Sequence, residues 1–299
     1  MEYPYYLVDV FTTTPLEGNA LAVFPDASGL DKPRMQRIAR ELNLSETTFV
    51  FPAESVEGAT RVRIFTPTYE MTFAGHPTIG TAFVLRESGI VDRNAPALFL
   101  DENIGRVRVR VDERDELLWL TTPPIRKIAE FPRERCAAAL SLGDSDLIPD
   151  VPCELLSAGN PTIFVPLKSR GLVDRVSVNV SAFEELTRTC DEPVCLFPFA
   201  PVETGAFSRM FSPELGIVED PATGSATGPL ARFMMTYGLA PRAGGSRFVS
   251  EQGVKMGRRS VLHILVHGED GADGIEVGGN VTPVGRGTLT VSSGNSPNG

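Results

Sequence analysis

The sequence predicts an α+β protein of two similar barrel-like half-domains, each a mainly antiparallel sheet wrapped around a central buried helix, with a cleft between them. Three observations carry that expectation. A segment recurs: Arg63-Ile64-Phe65-Thr66-Pro67 in the first half and Arg209-Met210-Phe211-Ser212-Pro213 in the second. Each copy leads through an acidic residue to a Gly-led helix start, Phe73-Ala74-Gly75-His76-Pro77-Thr78 and Glu219-Asp220-Pro221-Ala222-Thr223-Gly224-Ser225-Ala226, as a duplicated unit would. Coincidence between two strand-to-helix turns stays open as the plainer explanation, because Gly, Pro and Thr collect at such turns. Secondly, residues 77–85 and 226–235 hold no charge beyond Arg232, and a helix that is apolar all round is a buried one. Thirdly, short β-rich runs bounded by turn residues flank both helices, which implies strands wrapped about a helix.

In chain order, strands are expected at 6–11, 21–24, 47–51, 62–65, 98–100, 107–111 and 117–120, then at 163–165, 194–197, 209–211, 262–266 and 289–291. Residues 33–42 place Met35, Ile38, Ala39 and Leu42 on one helical face, with Asp31 as a cap just ahead of Pro33. A boundary near Thr122-Pro123-Pro124 divides the chain into half-domains 1–125 and 126–299, with a helix soon after Phe131-Pro132 and the last strand free to return to the first half. Residues 292–299 have no apolar group to bury and are expected to fray.

Bulk properties narrow the function classes. A length of 299 residues suits two domains, and 42% hydrophobic with 22% charged residues is ordinary globular usage. The formal net charge of -10 repels nucleic acid and anionic membranes. No run approaches the ~20 apolar residues of a membrane helix, and Met1-Glu2-Tyr3-Pro4-Tyr5-Tyr6 does not begin a leader peptide, so a cytoplasmic protein is expected. Cys136, Cys153, Cys190 and Cys195 form no CxxC pair and have no neighbouring histidine; free thiols and no metal are expected.

Both helix starts present unpaired backbone N–H groups and the positive end of the helix dipole, a natural anion site. Gly75 and His76 supply amides at the first, where Pro77 suits the first turn; Gly224 and Ser225 supply them at the second, with Ser225 as N-cap. Well-capped helices without a ligand are the plainer alternative. His76 on the first start and Asp220 just before the second favour a site, being costly to bury unpaired and read as recurring at equivalent positions of the duplication. Glu46 stands where a helix gives way to an apolar strand, in Leu44-Ser45-Glu46-Thr47-Thr48-Phe49-Val50. Two readings are open for it: a solvated strand end, or a carboxylate in an apolar pocket whose raised pKa suits proton transfer.

Together with Gly18-Asn19-Ala20-Leu21-Ala22-Val23-Phe24 and Gln252-Gly253-Val254-Lys255-Met256-Gly257-Arg258, these motifs run in register from about Tyr6 to about Leu289, and the chain closely resembles the PhzF-like isomerases. The resemblance implies the diaminopimelate-epimerase fold, a homodimer, and a proton moved between carbons of a small anionic, carboxylated substrate without metal or organic cofactor. The family's founding reaction is the isomerisation of trans-2,3-dihydro-3-hydroxyanthranilate in phenazine biosynthesis. Carried over by motif, Glu46 is the catalytic carboxylate, His76 and Asp220 bind and polarise the substrate, and Gly75, Gly224 and Ser225 hold negative charge. Gln252 is a weaker candidate for the cleft wall or else an ordinary loop residue. Ala20 departs from the proline usual after Gly-Asn, which touches a turn more than the chemistry. The epimerases of that fold carry a cysteine at each helix start, whereas here those places hold His76 and Ser225, which disfavours a two-cysteine racemase. Alternatives are an epimerase working through Glu and His, and a non-catalytic anion-binding protein.

Overall fold

The structure, a computed structural model, describes residues 1–56, 58–112, 114, 116–241, 247–268, 271 and 274–291. The expected fraying at 292–299 lies outside the described residues. The fold is α+β: among the described residues, nineteen strands join in one mainly antiparallel hydrogen-bonded network, accompanied by six α-helices.

Two helices sit deepest. In Gly75–Glu87 ten of 13 residues are buried, and the same holds for Gly224–Thr236, as their lack of charge predicts. The first packs on strands Glu2–Val10, Asn19–Phe24, Glu46–Val56 and Leu117–Thr121, where Ile79, Ala82 and Leu85 join Val8, Leu21 and Val109 in one core. The second packs on Cys153–Ser157, Thr162–Pro166, Ser260–His267 and Gly274–Gly279, where Leu230 and Phe233 meet Phe164, Phe199 and Ile264. Truncating a buried Phe such as Phe233 costs about 3–5 kcal/mol.

Helix Lys32–Leu42 positions Glu46. Asp31 caps it by accepting from the Arg34 amide at 3.0 Å, and Met35, Ile38 and Ala39 form its buried face over Phe24, Phe49 and Phe65. Asn43 ends it in the left-handed region at φ 50, a conformation that short polar side chains tolerate. The chain then reverses through Leu44-Ser45 and enters the strand at Glu46 itself.

The expected strand at 289–291 is the end of a longer one. Val281–Thr290 pairs antiparallel with Glu2–Val10, and Gly274–Gly279 pairs with Leu117–Thr121. The strand Gly274–Gly279 escaped the sequence reading because it is half glycine, a residue depleted in strands. Two of its three glycines answer close packing: a Cβ at Gly278 would lie 2.6 Å from the Trp119 ring, and one at Gly279 2.2 Å from Phe11.

Candidate active site

The repeat seen in the sequence is a repeated hairpin. Ile64 pairs with Met71 in one copy and Met210 with Asp220 in the other. Arg63 donates to both carboxylate oxygens of Glu70 at 2.6 and 2.8 Å, and Arg209 does the same to Glu219 at 2.9 and 2.7 Å. These forked charge-assisted pairs fix the approach of the chain to each helix. Glu70 and Glu219 precede Gly75 and Gly224 by the same spacing, so Asp220 corresponds to Met71, and His76 to Ser225. The expectation that His76 and Asp220 recur at equivalent positions is therefore corrected.

The two helix starts touch. A Cβ on Gly75 would come within 2.7 Å of the Gly224 backbone and 2.8 Å of the Ser225 amide nitrogen, so glycine is required for this approach. Neither helix has a side-chain cap. Ser225 is not the N-cap expected of it: the helix begins at Gly224, and the residue before it, Thr223, gives its hydroxyl to Asp220 Oδ2 at 2.6 Å. The first helical amide bonds run from Thr78 to Ala74 O and from Ala226 to Thr223 O. The amides of Gly75, His76, Gly224 and Ser225 precede them and converge with both dipoles behind them.

Glu46 is 8% exposed, so it is not a solvated strand end but a buried carboxyl on a cavity wall. Its Oε2 lies 3.2 Å from His76 Nε2, yet the angle makes no hydrogen bond, and neither atom has another partner. Burial, and then the charge of Asp220, hold the Glu46 carboxyl well above the usual carboxylate range. Burial pushes His76 down to about 3, leaving a neutral imidazole at pH 7. Asn19 Nδ2 donates to Asp220 Oδ1 at 2.8 Å and to Ala222 O at 3.0 Å, which fixes the orientation of its amide. The same nitrogen meets His76 Nδ1 at 3.2 Å, assigning the ring proton to Nε2, the nitrogen that faces Glu46. Burial raises Asp220 to about 6, against the hydrogen bonds from Thr223, Asn19 and Ser45.

A cavity of about 390 Å³ gathers Glu46, Gly75, His76, Asp220, Gly224 and Ser225 on its walls, so all six residues singled out in the sequence come together. Gln252 does not line it. Fully buried, its side chain instead braces the turn into the second helix, donating to Asp220 O at 2.8 Å and accepting from the Thr223 amide at 3.2 Å. Among the described residues no Lys or Arg lines the cavity, while Glu192 stands at its exposed rim. An anion here therefore rests on amides and dipoles, and a cationic group would find acids.

Sequence reasoning missed Asn160, Tyr69 and Cys195, which also line the cavity. Asn160 Nδ2 donates to Ser225 Oγ at 3.0 Å much as Asn19 reaches His76. The signal was present as a second Gly-Asn pair, Gly159-Asn160, matching Gly18-Asn19. Tyr69 follows Pro67 at the spacing at which Leu215, another wall residue, follows Pro213. For Cys195 the sequence offered no signal.

The family model for phenazine biosynthesis-like proteins, PhzC-PhzF, matches residues 8–287. An uncharacterized isomerase of Mesorhizobium japonicum is 37% identical over 96% of this chain and 98% of its own length. The trans-2,3-dihydro-3-hydroxyanthranilate isomerase of Pseudomonas chlororaphis is 36% identical over 96% and 99%. A PhzF-family protein from Bacillus anthracis superposes with a TM-score of 0.84 at 26% identity, covering 97% of this chain and all (100%) of that one. A hydroxyproline epimerase of Agrobacterium vitis, at 15% identity and a TM-score of 0.66 over 96% and 92% of the two chains, shares the fold alone. With matches spanning nearly the whole chain, this protein belongs to the phenazine biosynthesis-like family.

Proposed function

We propose that the protein is an isomerase that moves a proton between two carbons of a small, cyclic, carboxylated substrate, with Glu46 as the proton carrier. The observation that carries this is a buried carboxyl with an unpartnered oxygen, set in a cavity against two converging helix starts. As the carboxylate, Glu46 takes a C–H proton, the charge spreads through the conjugated system, and the same group returns the proton to another carbon on the same face. Burial makes Glu46 the stronger base this needs. His76 Nε2–H and the amides of Gly75, Gly224 and Ser225 are preorganised for the substrate carboxylate or the charge that develops. Asp220, ionised at neutral pH, accepts from an amino or hydroxyl substituent. The acids in the cavity and the absence of basic side chains among its lining residues support a substrate carrying an amine as well as a carboxylate. Trans-2,3-dihydro-3-hydroxyanthranilate, named for the relative from Pseudomonas chlororaphis, has this chemistry and is the first substrate to test.

The same reading takes residues 1–125 and 126–299 as half-domains around the two buried helices, with the strand Val281–Thr290 returned to the first, in a cytoplasmic homodimer that needs no cofactor. Among the described residues no helix is long and apolar enough to cross a membrane.

The deciding experiment is incubation with trans-2,3-dihydro-3-hydroxyanthranilate in D₂O, followed by NMR, beside Glu46→Gln. Deuterium at a ring carbon with the unmodified protein, falling about 10³–10⁴-fold in the variant, is the expected result. Equal turnover by the variant removes Glu46 from the mechanism. Binding without turnover by either protein favours the non-catalytic reading.

A further inference from the structure

Beneath the first helix start, on the side away from the cavity, lies a carboxyl that the proposed reaction does not use. Glu102, at the end of strand Ala97–Glu102, is 2% exposed. Its Oε1 is 2.6 Å from Thr78 Oγ1, and that hydroxyl is also 2.7 Å from Ala74 O, the carbonyl of the residue preceding the helix. A hydroxyl has one hydrogen to give. Ala74 O accepts only, so if Thr78 serves it, an ionised Glu102 would press lone pair against lone pair at 2.6 Å.

The second helix start shows which way the threonine points. Thr227 stands where Thr78 does, three residues after the helix-leading glycine, and gives its hydroxyl to Thr223 O at 2.9 Å, with no hydrogen bond to a carboxyl among the described residues. By the same bond Thr78 serves Ala74 O, and Glu102 must then be the donor. The remaining oxygen, Oε2, has no hydrogen-bond partner, a cost that a neutral acid's carbonyl bears far better than a buried carboxylate does.

We propose that Glu102 is a protonated acid at neutral pH, a positioning residue whose O–H pins the Gly75–His76 helix start through Thr78, and whose ionisation sets the alkaline limit of the site. The chain of hydrogen bonds runs from Glu102 O–H to Thr78 Oγ1, and from Thr78 O–H to Ala74 O. Losing the proton puts a charge behind the amides that receive the substrate's negative charge and breaks the order of this relay.

Burial holds the Glu102 carboxyl up at about 8, opposed by the Thr78 contact and by Arg61 and supported by Asp101. Arg61, on the neighbouring strand, is itself spent on Asp101 O at 3.0 Å and Asn103 Oδ1 at 2.7 Å. Glu70, nearby through Asn103, is paired with Arg63 and Lys32. Arg106 on the hairpin partner strand lies over the Phe99 ring. On the helix itself Thr78 is the residue that meets Glu102, and His76 faces Glu46 instead.

The positioning role rests on the isomerase reading, but the protonation state does not, and the test separates them. Infrared and NMR titrations of the ligand-free protein compare it with Glu102→Gln, whose amide can donate to Thr78 in place of the acid. The expected result is a protonated carboxyl band present at pH 7, absent in the variant and lost near pH 8, with the Gly75 and His76 amide resonances titrating at the same midpoint in the parent alone. In turnover, Glu102→Gln is expected within about twofold of the parent at pH 7 and at least about fivefold above it at pH 9.5, while Glu102→Ala falls at both. An ionised Glu102 at pH 7, flat Gly75 and His76 amides in the parent, or an alkaline decline unchanged in Glu102→Gln overturns the proposal. Absence of turnover in every variant with the titrations as expected sinks the isomerase reading and leaves the protonated acid standing.

Discussion

The two helix starts are built alike and equipped differently. Each follows a hairpin locked by an Arg–Glu fork, begins at a glycine pressed against the other, and has its second residue approached by the amide of an Asn from a Gly-Asn pair. At the first start that second residue is His76, facing Glu46; at the second it is Ser225. Asp220 has the apolar Met71 as its counterpart, and Glu102 bonds Thr78 whereas Thr227 bonds no carboxyl among the described residues. The two starts share a backbone plan, while Glu46, His76 and Glu102 gather at the first and Asp220 stands at the second. A proton that leaves one carbon and returns to another on the same face needs one carrier, whereas inversion at a single carbon needs two on opposite faces.

That comparison can be broken in graded steps. His76→Ala should lower kcat/KM by about 10²-fold and Ser225→Ala by less than about 10-fold, measured on the same substrate; equal losses would mean that the two starts share the work. Arg209→Met should cost about 3 kcal/mol in urea unfolding and Arg63→Met about 1 kcal/mol, because the Arg209 side chain is 9% exposed and also serves Val173 O and Val176 O, while that of Arg63 is 22% exposed. Gly75→Ala forces its methyl onto the opposing backbone and should cost about 1–3 kcal/mol. Ligand affinity should fall with it, since the helix starts must part.

The smallest expected effect is on stability against pH. A carboxyl whose folded pKa is raised stabilises the fold fully below its unfolded value and loses that contribution as pH rises through the folded one. Burial raises Glu102 to about 8 and Glu46 above its usual range. His76, depressed to about 3 from 6.5, acts in the opposite sense, but its contribution is complete above about 6.5. The melting temperature should therefore fall between about pH 6.5 and 8, and fall less steeply in Glu102→Gln. A rising melting temperature over that interval contradicts both assignments.

Much of this was legible in the sequence because it involved residues out of place. Two helical segments, 77–85 and 226–235, with no charge beyond Arg232 had to be buried in an acidic chain, and a His and an Asp beside Gly-led helix starts had to be paired. Glu46 was conspicuous at the door of an apolar strand, yet only the fold could say that the door opens on a cavity. His76 and Asp220 are not equivalent, because His76 follows its helix-leading glycine by one residue whereas Asp220 precedes Gly224 by four, and the turn between Arg209 and Glu219 is longer than that between Arg63 and Glu70. Asn160 and Tyr69 look like ordinary loop residues until the repeat is followed in full. Glu102 was invisible because its partner Thr78 is distant in sequence and its significance lies in a count of hydrogens. The strand Gly274–Gly279 was hidden for a reason of packing, since Trp119 and Phe11 occupy the space its side chains would fill.

The pairing of Glu2–Val10 with Val281–Thr290 has a consequence for how the protein is made. On the ribosome Glu2–Val10 finds one neighbour early, in Asn19–Phe24, and must wait for Val281–Thr290 until everything between them has been synthesised. Closure of that sheet is a late event joining sequence-distant segments, of the kind that slows folding. Until it occurs one edge of Glu2–Val10 stays open to wrong partners, and that exposure ends only when Val281–Thr290 arrives.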